Sequence, residues 1–397
     1  MSSTRPTALL ITPILPEPGG SGRALRAWDW LCTLAKEYDV QVLVTADFDA
    51  DAIPEGYPAA AVWPLHGQVR PSPRWGRAAG LLCPVLGLLS PSFMLDWLHP
   101  VQSQGAAPAL AEALAGRAVE RIVVFRLVLH PVALSALRSW PEAVAELDLD
   151  DLESAPRLSV AGALWRMGRR AEALRTALMG LQYRVVERWL GGAYATLWLA
   201  APDDARALRT RLARSVAWRP NRFPALPQLA PRAAGEQVRL LFVGSLDYPP
   251  NEESVRFLLG LASKLDAAEL AWRLTIVGRR PPEPLKRLVS RCSGVELLDG
   301  SDDLAGCYGS ADLVLVPVFA GGGTKLKTLE ALAYGRPVIS TGQGVRGLGL
   351  EAGRHYLAAE TATEFCDGVV RLARDEVLRE RLVAAGRECF EQGFASQ

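Results

Sequence analysis

The stretch Ala320–Gly347 reads AGGGTKLKTLEALAYGRPVISTGQGVRG, and the fold is read outward from it. Just ahead of it, ADLVLVP at Ala311–Pro317 is a continuous apolar run, as expected of a strand buried on both faces. Gly321, Gly322 and Gly323 follow, and from Thr324 the chain turns to good helix formers, Lys325 to Tyr334. Gly335 suits the helix C-terminus, Pro337 forbids its continuation, and Pro337–Thr341 (PVIST) reads as the next strand. Strand, glycine turn, helix and strand make a βαβ unit with an anion-binding place built in.

The residue types supply the chemistry of that place. The three glycines let backbone N–H groups approach a ligand with no Cβ in the way. They lead into a helix N-terminus, whose open N–H groups and dipole favour negative charge. Lys325 and Lys327 add cations, in a chain whose only other lysines are Lys36, Lys264 and Lys286. Glu330 lies one turn beyond Lys327 on the same helical face, where a carboxylate can accept hydrogen bonds from ligand hydroxyls. A nucleotide sugar, a polyhydroxylated diphosphate, meets all three features. The plain alternative is an ordinary glycine turn with a Lys327–Glu330 surface ion pair, and local spacing leaves both open.

The segment resembles the donor-site signature of group 1 glycosyl transferases of the GT-B fold. It is most similar to a branch with the pattern G-x-G-T-[RK]-L-K-x-L-E-A-x-A-x-G-x-P-V, found in exopolysaccharide and cell-surface glycan assembly. The resemblance implies that Glu330 binds the nucleotide ribose and that the turn and lysines bind the phosphates. The first glutamate of the wider family's E-x7-E motif would fall at Gly322 and is absent, so donor-sugar contacts do not carry over.

The chain's 397 residues suffice for two α/β domains with separate cores. A net charge of +1 gives no reason to expect nucleic acid or an acidic partner. Cys32, Cys83, Cys292, Cys307, Cys366 and Cys389 have no metal-like spacing and read as free thiols in a reducing cytosol. The N-terminus does not read as a signal peptide, and the most apolar window, Ala78–Leu98, is broken by Pro84 and Pro91 and carries Asp96. A cytoplasmic protein is expected.

From the N-terminus, Thr7–Thr12 reads as a buried strand, a loop ends in GGSG at residues 19–22, and Arg23–Tyr38 has helical periodicity. The spacing is not G-x-G-x-x-G, so a dinucleotide site is not indicated. By resemblance, Gly19, Gly20 and Gly22 face the interdomain cleft. Arg23 and Arg26 beside them are read as solvated. The proline-rich stretch Trp63–Pro100, with Arg70, Arg74 and Arg77, is either a packed insertion or a membrane-contacting element. Arg121–Phe125 is a strand, and Arg126 and His130 lie just past its carboxyl end, where ligands of parallel sheets bind. Both are candidate catalytic residues alongside Lys325 and Lys327, although a lone histidine is more often structural.

VAELDLDD at Val144–Asp151 invites a metal reading through Asp148, Asp150 and Asp151. A site that neutralises phosphate with lysines and a helix dipole has no need of a metal, and none is expected. These carboxylates are read as facing the acceptor side or capping the next helix. Pro156–Leu190 is a long basic helical stretch whose Leu164, Trp165, Leu174, Leu178, Leu181 and Val185 read as a core-packed stripe. Attraction to anionic lipid is the alternative.

A second run of βαβ units begins after the proline-rich residues 222–236. Its order, F-V-G-S…P-N, then I-V-G-R, then V-x-L-x-G, matches the family. The resemblance places Gly244, Ser245 and Arg279 at the donor phosphates and Gly300 at the base. The expectation is therefore an α/β chain of two doubly wound Rossmann-like domains facing a central cleft. Its first domain is 1–221, its linker 222–236 and its donor domain 237–375, with a final helix over 376–397 crossing back to the first domain. The implied activity is metal-independent, retaining transfer of a sugar from a UDP-, GDP-, dTDP- or ADP-sugar to a small-molecule or lipid-linked glycan acceptor, with peripheral membrane contact at the inner face as an option. An epimerase on the same fold, or a nucleotide-binding partner subunit without turnover, are the alternatives. No feature of the sequence sets the oligomeric state.

Overall fold

The computed structural model describes residues 5–18, 22–46, 48–49, 51, 53–64, 114, 116–190, 192–211, 215–223, 226–230, 236–301 and 303–395. The chain divides into two compact units: Met1–Arg157 with Ala177–Arg222, and Leu158–Thr176 with Phe223–Gln397. Residues 223–236 of the stretch read as a linker and the final helix, Glu376–Gly393, thus group with the second unit. That helix packs on the signature helix, where a Cβ added at Gly386 would meet Leu332 at 2.6 Å.

The first unit is built on seven strands: β1 (Thr7–Thr12), β2 (Asp39–Val44), β3 (Ala61–Pro64), β4 (Val119–Phe125), β5 (Val144–Asp150), β6 (Thr196–Leu199) and β7 (Val216–Trp218). All pairs are parallel, in the order β3-β2-β1-β4-β5-β6-β7. The period-2 alternation of strands sorts β1 onto two cores. Leu9 and Ile11 join Ile122, Val124, Leu147 and Leu197 on one face, while Ala8 and Leu10 join Trp30, Leu31 and Leu34 of the helix Gly22–Ala35 on the other. Both faces are covered, which is why TALLIT is apolar throughout.

The second unit is a parallel sheet of β8 (Val238–Val243), β9 (Trp272–Val277), β10 (Val295–Leu298), β11 (Leu313–Val316), β12 (Val338–Ser340) and β13 (Leu357–Ala358). Its order is β10-β9-β8-β11-β12-β13. Leu240, Phe242, Ile276, Leu313 and Leu315 pack against Leu258, Leu261 and Leu265 of the helix Pro249–Ala267 and Phe365, Val369 and Leu372 of the helix Ala362–Arg374. The order reverses between β8 and β11, and in such sheets the crevice for a ligand opens at the carboxyl ends on either side of that reversal.

The basic stretch expected as one long helix is two, Ser154–Arg166 and Arg170–Leu190, parted at Gly168 with φ +77°. Its apolar stripe is not core-packed. Leu164 is buried, but Trp165, Leu174, Leu178, Leu181 and Trp189 are each at least 50% exposed, because the second helix turns Ala173, Tyr183 and Val186 inward instead.

Candidate functional site

Four of the six strands of the second sheet feed the crevice. Gly244 and Ser245 follow β8, Gly278 and Arg279 follow β9, Gly300 follows β10 by two residues, and the glycine loop follows β11. The approaches are tight. A Cβ on Gly278 would fall 2.1 Å from the Gly244 carbonyl oxygen, so that position admits only glycine. Gly300 has φ +81°, and Arg279, an exposed side chain, lies against it.

The glycine loop is held by its acceptors. Gln343 Nε2 donates to the Gly321 carbonyl at 2.6 Å, and Lys325 Nζ donates to those of Gly322 and Gly323 at 2.6 and 2.9 Å. The Gly321 N–H donates to Ser159 Oγ at 3.0 Å. All three carbonyl dipoles thus have protein donors, which removes the loop's own negative ends from competition with an anion. Lys325, read as a phosphate-binding cation, is a buried clamp on this loop, and the φ of +106° at Gly321 and +63° at Gly323 shows why glycine is needed there. Thr324 is buried just ahead of the helix, which starts at Leu326 with Lys325 as its N-cap and runs to Ala333, followed by Gly335 at φ +68°.

Lys327 brings a cation to the Gly244 turn. Its Nζ donates to Asn251 Oδ1 at 2.7 Å and lies 4.2 Å from the Phe242 ring centroid. A Cβ on Gly244 would sit 2.7 Å from it, so glycine at the turn makes room for the ammonium. Burial, and then the charge of Lys325, bring Lys327 down to about 7, with Glu330 acting the other way. An ammonium so placed gains strongly from an anion. Glu330, on the same helix, accepts from the buried Tyr308 hydroxyl at 3.0 Å, and burial raises its carboxyl above the usual range. Tyr308 stacks on Tyr334 with ring centroids 4.9 Å apart.

Residues 237–375 match the family model for glycosyl transferases group 1. Over these residues the chain is similar to group 1 glycosyl transferases. A phosphatidyl-myo-inositol mannosyltransferase of Mycobacterium leprae (strain TN) is 34% identical over 178 residues, 42% of this chain and 45% of the relative, so the match spans about half of that protein's length. Sucrose-phosphate synthase from Thermosynechococcus elongatus superposes with TM-score 0.67 at 17% identity, covering 98% of this chain and 95% of that one. Anabaena HepE in complex with UDP and glucose gives TM-score 0.62 at 14% identity, with 98% and 95% covered. These likenesses establish the GT-B class of two Rossmann-like domains. Within residues 237–375 the structure gathers Gly244, Ser245 and Lys327 at one turn and sets Arg279 beside Gly300.

Arg126 and His130 belong to the other unit, and both are occupied. His130 is 2% exposed, with Nδ1 2.7 Å from the Tyr194 hydroxyl, and burial pulls it down to about 4. Arg126, at φ +86°, pairs with Asp150 at 3.0 Å and Glu153 at 2.5 Å. Arg26, read as solvated, is buried and held by Asp148 in two bonds of 2.7 and 2.8 Å, by the Arg219 carbonyl and by Asn221. The Trp30 indole also donates to Asp148. Asp148 therefore serves arginine rather than an acceptor or a helix cap. Gly22 opens the helix Gly22–Ala35; Gly19, Gly20, residues 65–100 of the proline-rich stretch and Asp302 lie outside the described residues.

The sequence reading missed Asn251, Gln343 and Tyr308 as site residues. Only Asn251 had a signal, the P-N at the start of the helix after β8. Gln343 and Tyr308 meet the site from 13 and 22 residues away from Glu330 in sequence, with no motif to mark them.

Proposed function

We propose that the protein moves a sugar from a nucleotide-sugar donor to an acceptor hydroxyl. The observation that carries this reading is the Lys327 ammonium, held at the Gly244 turn on the β8 side of the sheet reversal by a helix that starts on the β11 side. A diphosphate there meets the ammonium and the exposed Arg279, with Glu330 one helical turn on for the ribose hydroxyls. Charge building on the departing diphosphate is stabilised by groups already in place, which is where most of the rate comes from in such transfers. The Lys327 ammonium and Arg279 neutralise that charge without a metal. The acceptor hydroxyl passes its proton to the leaving phosphate oxygen, and the configuration is retained, as in the family the signature resembles.

The HepE neighbour's complex with UDP favours UDP among the four bases. The mannosyltransferase relative, named for phosphatidyl-myo-inositol, favours a lipid-linked acceptor in glycan or glycolipid assembly. The exposed Leu174, Leu178, Leu181 and Trp189, interleaved with Arg175, Arg184 and Arg188, would suit peripheral contact with an anionic bilayer from the cytoplasmic side. The test is slow hydrolysis of UDP-, GDP-, dTDP- and ADP-sugars by wild type and Glu330→Ala, in EDTA and then in Mg²⁺. One donor should be hydrolysed without metal, and the activity should be lost in the variant. Stoichiometric binding with no sugar release would indicate a non-catalytic partner subunit, and strict metal dependence would overturn the mechanism.

A further inference from the structure

Asn251 sits in the first turn of the helix Pro249–Ala267, 8% exposed, and its two amide ends do different work. Oδ1 accepts from Lys327 Nζ at 2.7 Å, while Nδ2 donates to the Ser245 carbonyl at 2.8 Å. The orientation is fixed by chemistry: an ammonium can only donate and a carbonyl can only accept. One side chain therefore ties the signature helix to the turn after β8.

Among the described residues the charged neighbours of this ammonium are few. On its own segment they are Lys325 and Glu330, and Glu330 is also bonded by Tyr308 from the helix Leu304–Gly309. From β8 it faces Phe242 and Gly244, neither of which titrates, and from the helix Pro249–Ala267 it faces the neutral Asn251. The contrast with Arg26 is direct, because that cation is met by a carboxylate and its charge is spent inside the protein. An amide fixes position and leaves the charge unneutralised, with two of the three ammonium donors not committed to Asn251.

We propose that Asn251 is a positioning residue for donor binding: it holds the Lys327 ammonium over the Gly244–Ser245 turn without neutralising it, so that the diphosphate of the donor supplies the counter-charge. This rests on the nucleotide-sugar reading above. The same amide donates to the Ser245 carbonyl, so that this acceptor of the turn does not oppose the phosphate oxygens. A carboxylate at this place would hold the lysine equally well and close the site to anions.

The test uses the full chain and its five lysines, few enough for their Cε signals to be followed by NMR. The Lys327 signal is identified by its absence in Lys327→Arg. Wild type should titrate near 7. Asn251→Asp should move that midpoint up by about one pH unit or more and weaken the tightest-binding of UDP, GDP, dTDP and ADP by about tenfold or more. Asn251→Leu should move the midpoint down, because the charged form loses its acceptor, and should also weaken binding; it keeps the test open where Asn251→Asp fails to fold. Midpoints that coincide with wild type in the folded variants overturn the proposal while leaving the donor site standing. A wild type that binds none of the four nucleotides overturns the donor reading and the proposal with it.

Discussion

The two sheets reverse their strand order at the same place, between β1 and β4 in the first unit and between β8 and β11 in the second, yet the two reversals hold opposite contents. In the second, a glycine turn and a glycine loop surround a lysine whose partner is a neutral amide. In the first, Arg26 is clasped by Asp148, and Arg126 by Asp150 and Glu153, with Arg157 also on Glu153. Doubly wound topology says where a ligand can bind; the charge balance of the side chains says whether the place is open. Two non-glycine residues with positive φ, Arg126 and Asp150, mark the first reversal as held under backbone strain by these ion pairs.

The largest effect that would sharpen this contrast is on stability. Asp148→Ala should cost about 3–5 kcal/mol, because it strands the buried Arg26 guanidinium. Urea denaturation followed by Trp30 and Trp198, whose rings lie 5.7 Å apart in this unit, would show it. A loss under about 1 kcal/mol would mean the pair contributes no more than a surface bridge.

The next effect is on binding, through pH. Lys327 in the free protein loses its proton near 7, below the ordinary lysine value of 10.5. An anion needs the ammonium, so binding above pH 7 must take up a proton, and affinity for the nucleoside diphosphate should fall about tenfold per pH unit from 7 to 9. The linked change in the free protein has the opposite sense. The unfolded chain holds that proton up to 10.5, so Lys327's contribution to stability rises as pH goes from 7 to 10.5. Calorimetric affinities that stay flat over pH 7–9 would mean that Lys327 is not the anion's partner. A smaller effect is expected from Gly244→Ala, whose Cβ displaces the Lys327 and Asn251 side-chain ends. These are flexible tips, so binding should weaken about tenfold, with melting temperature little changed.

The second domain was legible because its signals are local. Apolar runs mark strands buried on both faces, glycines stand where φ is positive, and Gly335 ends the signature helix as read. The first domain was less so, because its decisive pairs join residues far apart in sequence. Arg26 and Asp148 are 122 residues apart, and nothing in the run DLDD says that its first carboxylate meets an arginine of the first helix. The same holds for Lys325. Its place in the signature reads as phosphate contact, and only the backbone path of the glycine loop shows the ammonium turned onto two carbonyls. Leu174, Leu178 and Leu181 follow helical spacing, but periodicity does not say which of two faces is covered, and the structure covers the other.

The most direct measurement is titration calorimetry of UDP, GDP, dTDP and ADP into the full chain at pH 6.5 in EDTA, with wild type and Lys327→Met. The account predicts that wild type binds at least one nucleotide at one site per chain, and that the variant, still folded, binds it about a hundredfold more weakly, the loss of a charge-assisted contact of roughly 3 kcal/mol. Equal binding by wild type and variant, or no binding by wild type, would contradict the assignment of this crevice to the donor diphosphate.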